Sequence, residues 1–175
     1  MVGNFIGDFV KGSKYESYPS EIRQGILLHR KIDHYTDTHD VVKETVAMLR
    51  PEFGRYSAIV LDLYFDYFLA NNFTKYSDHR SLKMFTYRFY FSVLLRYRYL
   101  PEKVKGFIFH FVGTNRLKKY ETMEGLYESI EIMSRHKAPA LNPQHIINYL
   151  NENQEELEMQ FHCFFPQLIR YVADN

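Results

Sequence analysis

Carboxylates and one histidine recur at helical spacing in this sequence. His29, Asp33 and Asp37 follow one another at intervals of four residues. In a helix this spacing stacks the three side chains on one face, with neighbouring Cβ atoms roughly 6 Å apart. An imidazole and two carboxylates placed in this way could bind one cation. A solvated polar face with a simple His–Asp pair produces the same pattern, and the spacing alone favours that interpretation.

Asp62 and Asp66 have the same spacing in a far more apolar setting. They interrupt residues 59–69, IVLDLYFDYFL, in which every other residue is aliphatic or aromatic. Two carboxylates on one face of such a helix are costly to bury unless a cation or hydrogen-bond donors compensate their charge. We therefore predict a functional or metal-bound role for this pair.

Asp8 ends a short segment, GNFIGD, in which Asn4 is the other polar side chain. By itself this segment is equally consistent with a solvent-facing aspartate. Taken together, however, one histidine and four or five carboxylates from three helices suit Mn²⁺, Mg²⁺ or Fe better than structural zinc. Such a site polarises a phosphoryl oxygen and lowers the pKa of bound water. Metal-assisted hydrolysis of a phosphoester is therefore the reaction class that this chemistry predicts.

Helices must position these side chains, because the apolar pattern is helical almost throughout. It predicts an all-α, compact single-domain helical bundle over residues 1–175. Pro51 is expected to end the second helix, since proline lacks the backbone N–H and its ring clashes with the preceding turn. Helices are predicted over residues 21–37, 41–49, 55–70, 81–99, 102–112 and 122–136, and again after Pro143.

Composition excludes several other classes of protein. The chain has 175 residues, of which 46% are hydrophobic and 17% aromatic, too many for a disordered chain. The net charge of +1 argues against a nucleic-acid binder. Cys163 is the only cysteine, so no disulfide can form within the chain. No apolar run reaches the roughly 18 residues of a membrane span. We expect a cytoplasmic protein without a membrane partner.

Three motifs resemble the acyl carrier protein phosphodiesterase family. The first is GNFIGDFVKG at residues 3–12. The second combines LHRKID at residues 28–33 with YTDTH at residues 35–39. The third combines GRY at residues 54–56 with Asp62 and DYFLA at residues 66–70. Weaker similarity continues to residues 164–166, so the resemblance covers essentially the whole chain in order.

The resemblance implies a helical fold distantly related to the HD-type metal phosphohydrolases. It also implies an activity, the removal of 4′-phosphopantetheine from a serine of holo acyl carrier protein to give the apo protein. Manganese is the expected metal, with Mg²⁺ or Fe as alternatives. The family's motif positions fall here on Asp8, His29, Asp33, Asp37, Asp62 and Asp66. Among these and neighbouring residues, those that we expect to act in catalysis are Asp8, His29, Asp33, Asp66 and Arg30. Those implied to bind the metal are Asp8, His29, Asp33, Asp62 and Asp66. Those implied to contact substrate or phosphate are Asn4, Lys11, Arg30 and Asp37.

The sequence departs from the family pattern at two places. Family members usually carry a short segment upstream of the first motif, and we expect the natural protein to have such a segment before Met1. Tyr67 stands where the family typically has histidine, and a tyrosine is a poor general base at neutral pH. Two alternatives therefore stay open. One is an HD-type phosphohydrolase of a small phosphoester, and the other is a carrier-binding module with impaired catalysis.

The net charge of +1 conceals one basic segment. Residues 81–120 hold nine Lys and Arg residues against Glu102 alone, whereas residues 121–175 are mainly acidic. A solvated basic face that pairs with the acidic helices would explain this distribution. Acyl carrier proteins are acidic helical bundles, so the resemblance supplies a second explanation, electrostatic docking of the carrier. The residues expected to dock it are Arg96, Arg98, Lys103 and Lys105.

Overall fold

The computed structural model describes residues 1–77, 81–136 and 138–174. Ten α-helices and no β-strand lie in these ranges, which confirms the all-α prediction. No helix of the described chain is both long and apolar enough to cross a membrane. In chain order the helices are α1 (Val2–Ile6), α2 (Ser20–Thr38), α3 (Asp40–Phe53), α4 (Ser57–Asn71), α5 (Phe73–Tyr76), α6 (Leu82–Leu95), α7 (Glu102–Gly113), α8 (Arg116–Lys119), α9 (Met123–His136) and α10 (Pro143–Asp174).

The prediction that Pro51 ends α3 is wrong. The helix includes Pro51 and continues to Phe53. Proline near the end of a helix removes one backbone hydrogen bond, a smaller loss than in the middle of the helix. The helix stops instead at Gly54, which has φ of 53° and donates its N–H to the Arg50 carbonyl. A positive φ is open to glycine at little cost, so Gly54 sets the boundary.

Two apolar cores hold the bundle together. In the first, α3, α4, α9 and α10 surround Tyr64, whose buried hydroxyl donates to the Ile146 carbonyl at 2.7 Å. In the second, α1, α6 and α7 pack around Ile22 and Ile26 of α2. The C-terminal half of α2 reaches the first core through Tyr35. Helix α2 therefore links the two cores, and it carries His29 between them.

Helices α1 and α2 cross with their backbones in contact. A Cβ atom on Gly3 would lie 2.0 Å from the Ile22 carbonyl oxygen, and one on Gly25 would lie 2.9 Å from the Asn4 backbone nitrogen. Only glycine fits at these two positions without a shift of backbone. This close crossing brings the end of α1 over the middle of α2.

We expect Gly3→Ala to destabilise the fold by about 3 kcal/mol, because the new methyl group has no space between two backbones. Gly106→Ala is the control, since Gly106 lies inside α7 with no atom within 4 Å of a Cβ. That change should stabilise the protein by roughly 0.5–1 kcal/mol through the higher helix propensity of alanine. Urea unfolding measures both effects. Equal effects of the two substitutions would contradict the close crossing.

Candidate metal centre

Three of the predicted ligands meet at the crossing of α1 and α2. Asp8 lies in the 3₁₀ turn Gly7–Phe9 that follows α1, and His29 and Asp33 lie one turn apart on α2. The His29 Nε2 atom is 3.1 Å from Asp33 Oδ2 and 3.5 Å from Asp8 Oδ1. One ligand atom from each residue lies within 4.8 Å of the others. The structure thus brings together Asp8 and His29, which are 21 positions apart in the chain.

Gly7 allows this approach. A Cβ atom on Gly7 would lie 2.1 Å from Cδ2 of the His29 ring and 2.7 Å from its Cβ. The imidazole therefore packs directly against the backbone of the turn that carries Asp8. Any side chain at position 7 would displace the ring and separate the histidine from that carboxylate.

The Nε2 atom of His29 lacks the hydrogen-bond partner that a buried nitrogen normally has. It is buried and makes no hydrogen bond among the described residues, although two carboxylates lie close to it. Buried polar atoms are nearly always satisfied, so such an atom requires an explanation. A divalent cation bound between the imidazole and the carboxylates of Asp8 and Asp33 would supply it. The residues present therefore fit a metal ion.

The three ligands open into a cleft of about 540 Å³. One side of the cleft is acidic and includes all the predicted carboxylates, and the other is apolar and comes largely from α10. The acidic residues that line it are Asp8, Asp33, Asp37, Asp62 and Asp66. The apolar residues are Ile32, Phe65, Leu69, Phe161, Phe164, Phe165 and Leu168.

Asp62 and Asp66 line the cleft from α4. Both residues are exposed to solvent, and apolar residues of α4 flank them along the helix. Desolvation by the surrounding protein, with the charges of Asp37, Asp33 and Asp8, raises the pKa of Asp62 to about 6. Burial and the charge of Asp62 raise the pKa of Asp66 to about 7, and a hydrogen bond from Tyr120 partly offsets this.

Excess negative charge is thus the dominant electrostatic feature of the cleft. The pKa of Asp33 is also raised, first by burial and then by Asp8 and Asp37, while His29 and Lys11 oppose the shift. Each of these carboxylates would ionise more readily beside a divalent cation. The electrostatics agree with the geometry in favouring a bound metal.

Other predicted residues have different surroundings. The Arg30 guanidinium donates to the carbonyls of Val10 at 2.9 Å and Gly12 at 2.7 Å. It therefore fixes the chain that follows Asp8, and it does not line the cleft. Lys11 is exposed and close enough to Asp33 to affect its pKa. Asn4 is half-buried on α1 at the crossing with α2 and does not line the cleft either.

Tyr67 lies outside the cleft. Burial raises the pKa of its hydroxyl, and so does the nearby charge of Glu158 on α10. Its ring packs edge-on against Phe68. The side chain at this position therefore does not face the three ligands of the candidate metal centre.

The four basic residues predicted to dock a carrier differ in whether they already bind a carboxylate of the same chain. One guanidinium nitrogen of Arg96 donates to both carboxylate oxygens of Glu21, at 2.9 Å each. Lys105 donates to Glu102 at 2.7 Å. Arg98 is exposed and contacts Tyr99, and Lys103 is exposed without a carboxylate partner among the described residues.

Sequence reasoning missed the apolar side of the cleft and the role of Tyr120. Phe164 and Phe165 belong to the weaker part of the family resemblance. No local pattern in the sequence shows, however, that α10 folds over α4. Tyr120 lies in a connection between α8 and α9, 54 residues from Asp66. A contact over that separation leaves no periodic signal in the sequence.

The chain matches the acyl carrier protein phosphodiesterase family over residues 1–168. It belongs to this family. The acyl carrier protein phosphodiesterase of Klebsiella pneumoniae (strain 342) is 30% identical over 186 residues, which cover 100% of this chain and 90% of that protein. The protein of the same name from Yersinia pestis is 25% identical over 170 residues, which cover 97% of this chain and 88% of that protein.

Membership places the chain among hydrolases. The three motifs that carried the resemblance contain Asp8, the two ligands on α2 and the acidic pair on α4, and all of these residues line or adjoin the cleft. No solved structure matches the chain. The relation to HD-type phosphohydrolases therefore stays a prediction.

In the metal-free protein, we expect the cleft carboxylates to lower stability as pH rises through about 6 to 7. The native pKa values lie above the ordinary 3.8, so the native state holds protons that the unfolded chain has released. That stabilising contribution is complete below the ordinary pKa and is lost as pH rises through the native values. Thermal melts in EDTA between about pH 5 and about pH 8 measure the effect.

Asp66→Asn should give a flatter pH dependence, because the amide does not titrate. Asp40→Asn is the control, since Asp40 is exposed on α3 and pairs with Lys43. It should keep the wild-type slope. Identical slopes for wild type and Asp66→Asn would show that the aspartate titrates normally.

Proposed function

We propose that this protein is a metal-dependent phosphodiesterase that acts on holo acyl carrier protein. Water adds to the phosphorus of the phosphodiester, and the bond from phosphorus to the serine oxygen breaks. The serine oxygen takes a proton, so the products are the apo carrier and 4′-phosphopantetheine. The observation that carries the proposal is the convergence of Asp8, His29 and Asp33 in a chain that belongs to this family.

Asp8, His29 and Asp33 would hold the metal, and Mn²⁺ is the ion we expect. When bound, such a cation polarises a phosphoryl oxygen and lowers the pKa of water. Asp62 and Asp66 would transfer protons, because their carboxyl groups line the same cleft as the ligands Asp8 and Asp33. The ionised form accepts a proton from the attacking water, and the protonated form donates one to the serine oxygen. Asp37 strengthens this behaviour, since its charge raises the pKa of Asp62.

The two sides of the cleft suit the two parts of the substrate. The phosphodiester needs the metal and cationic neighbours, and Lys11 lies close to Asp33. The pantetheine arm carries methyl and methylene groups, which pack against aromatic and aliphatic side chains. Phe65, Phe161 and Phe164 on the apolar side of the cleft provide such contacts. A cytoplasmic location, in keeping with the single free Cys163, is part of the same proposal.

Incubation of holo acyl carrier protein with the purified protein and Mn²⁺ should convert the carrier to its apo form. Intact-mass spectrometry measures the loss of the prosthetic group. Asp33→Asn should lower the rate by more than about 100-fold, since even residues that only orient metal ligands contribute 10- to 100-fold. A carrier that keeps its prosthetic group with the wild-type protein contradicts the proposal. Turnover of small phosphodiesters alone would favour the alternative of a phosphohydrolase that acts on a small phosphoester.

Metal binding is measured separately by isothermal titration of the EDTA-stripped protein with MnCl₂. We expect His29→Ala and Asp33→Asn to weaken binding by about tenfold or more, because each removes one of three converging ligands. Asp40→Asn should bind as the wild type does, since this aspartate lies on α3 outside the cleft. Unchanged affinity in the His29→Ala variant would contradict the metal centre.

A further inference from the structure

Helix α6 is apolar on two opposite sides. Its inner side, with Phe89, Tyr90 and Val93, is buried against the second core. Its outer side is uncovered, and Phe91 is 66% exposed and Leu95 is 64% exposed. A helix that is apolar around its whole circumference is normally buried on every side. The outer side of α6 is therefore expected to meet a partner.

The exposed side chains form one continuous stripe. Met84, Tyr87, Phe91 and Leu95 are spaced three or four residues apart and are all more than half exposed. At about 100° of rotation per residue they lie within a sector of roughly 100°, opposite the buried side. The stripe spans almost the full length of the helix, so it offers a contact surface rather than a single side chain.

The charges beside the stripe are all positive. Lys83 and Arg88 lie at its two edges on α6, and residues 81–101 contain no aspartate or glutamate. Neither cation has a carboxylate partner among the described residues. Pairing with a second copy through this stripe would bring like charges together without any carboxylate to neutralise them. The charge pattern thus selects an acidic partner.

Helix α7 lies between the chain that follows Asp8 and the chain that follows α6. Phe9, which follows Asp8, packs against Phe107 with ring centroids 6.0 Å apart. On a different face of α7, Phe109 is 63% exposed and packs against Tyr97 at 5.4 Å, directly after α6. Lys103 is exposed one turn before Phe107. Helix α7 therefore contacts the chain beside Asp8 through Phe107 and the chain after α6 through Phe109.

We propose that the α6–α7 surface, formed by Tyr87, Phe91, Leu95 and Phe109 with Lys83, Arg88 and Lys103, docks the acidic carrier protein. This inference rests on the proposed function. It moves the main contact away from Arg96 and Lys105, which are bound to Glu21 and Glu102 within the chain. The apolar stripe supplies desolvated contact, and the cations at its edges orient the carrier so that its phosphodiester reaches the cleft.

The apolar contribution is tested with the double variant Phe91→Gln, Leu95→Gln. We measure its affinity for apo acyl carrier protein, which lacks the scissile bond, and its KM for the holo form. Both Kd and KM should rise by about tenfold or more, the scale for loss of interface anchors. The control is Ile132→Gln, Met159→Gln, since these side chains are also apolar and exposed but lie on α9 and α10. The control should leave both constants unchanged.

The charged edges are tested with Lys83→Glu, Arg88→Glu. This variant should lose affinity for the apo carrier most strongly at low salt, because exposed charges are screened as salt increases. Reversal of Lys43 and Arg50, exposed cations on α3, is the control and should change nothing. Circular dichroism and thermal melts confirm that each variant is folded.

Three outcomes would overturn the docking surface. The first is that both α6 variants bind the carrier with wild-type affinity and still hydrolyse the holo form. This result would contradict the docking surface but not the proposed function. The second is loss of a wild-type dimer in the α6 variants, measured by light scattering, without loss of carrier binding. The third is loss of binding to phosphatidylglycerol vesicles with carrier affinity unchanged. A wild-type protein that neither binds nor hydrolyses the carrier would overturn the proposed function itself.

Discussion

Helices α1 and α2 touch backbone to backbone at Gly3 and Gly25, and this contact determines where Asp8 can lie. Because α1 has only five residues, its end is displaced little from the point of crossing. Gly7 then admits the His29 ring beneath the turn. Arg30 completes the arrangement by donating to the Val10 and Gly12 carbonyls, which holds the chain beyond Asp8 in place.

The candidate metal centre gathers like charges that oppose folding. Five carboxylates line one cleft, and the raised pKa values of Asp33, Asp62 and Asp66 report their mutual repulsion and their burial. The two apolar cores must compensate for this cost. Sites that need an unfavourable charge arrangement commonly exchange stability for function in this way. A bound cation would relieve the repulsion and link metal binding to stability.

The positive charges of residues 81–120 divide between ion pairs within the chain and an exposed face. Part of the basic segment is neutralised within the chain, where Arg116 and Lys119 both pair with Glu128 of α9. These pairs link α8 to the acidic C-terminal half. The cations of α6 point outward instead, beside exposed aromatic side chains. A net charge near zero therefore coexists with one face suited to an acidic protein.

Local patterns in the sequence predict the helices and the spacing of residues within each one. His29 and Asp33 on α2, and Asp62 and Asp66 on α4, share a helix face because of a period that is local to the chain. Which helix faces meet depends on the packing of the folded chain. The approach of Asp8, the turn of Arg30 towards backbone carbonyls and the apolar side supplied by α10 all depend on contacts between distant segments. Such contacts arise from packing shape and from glycine positions, which leave no periodic pattern in the sequence.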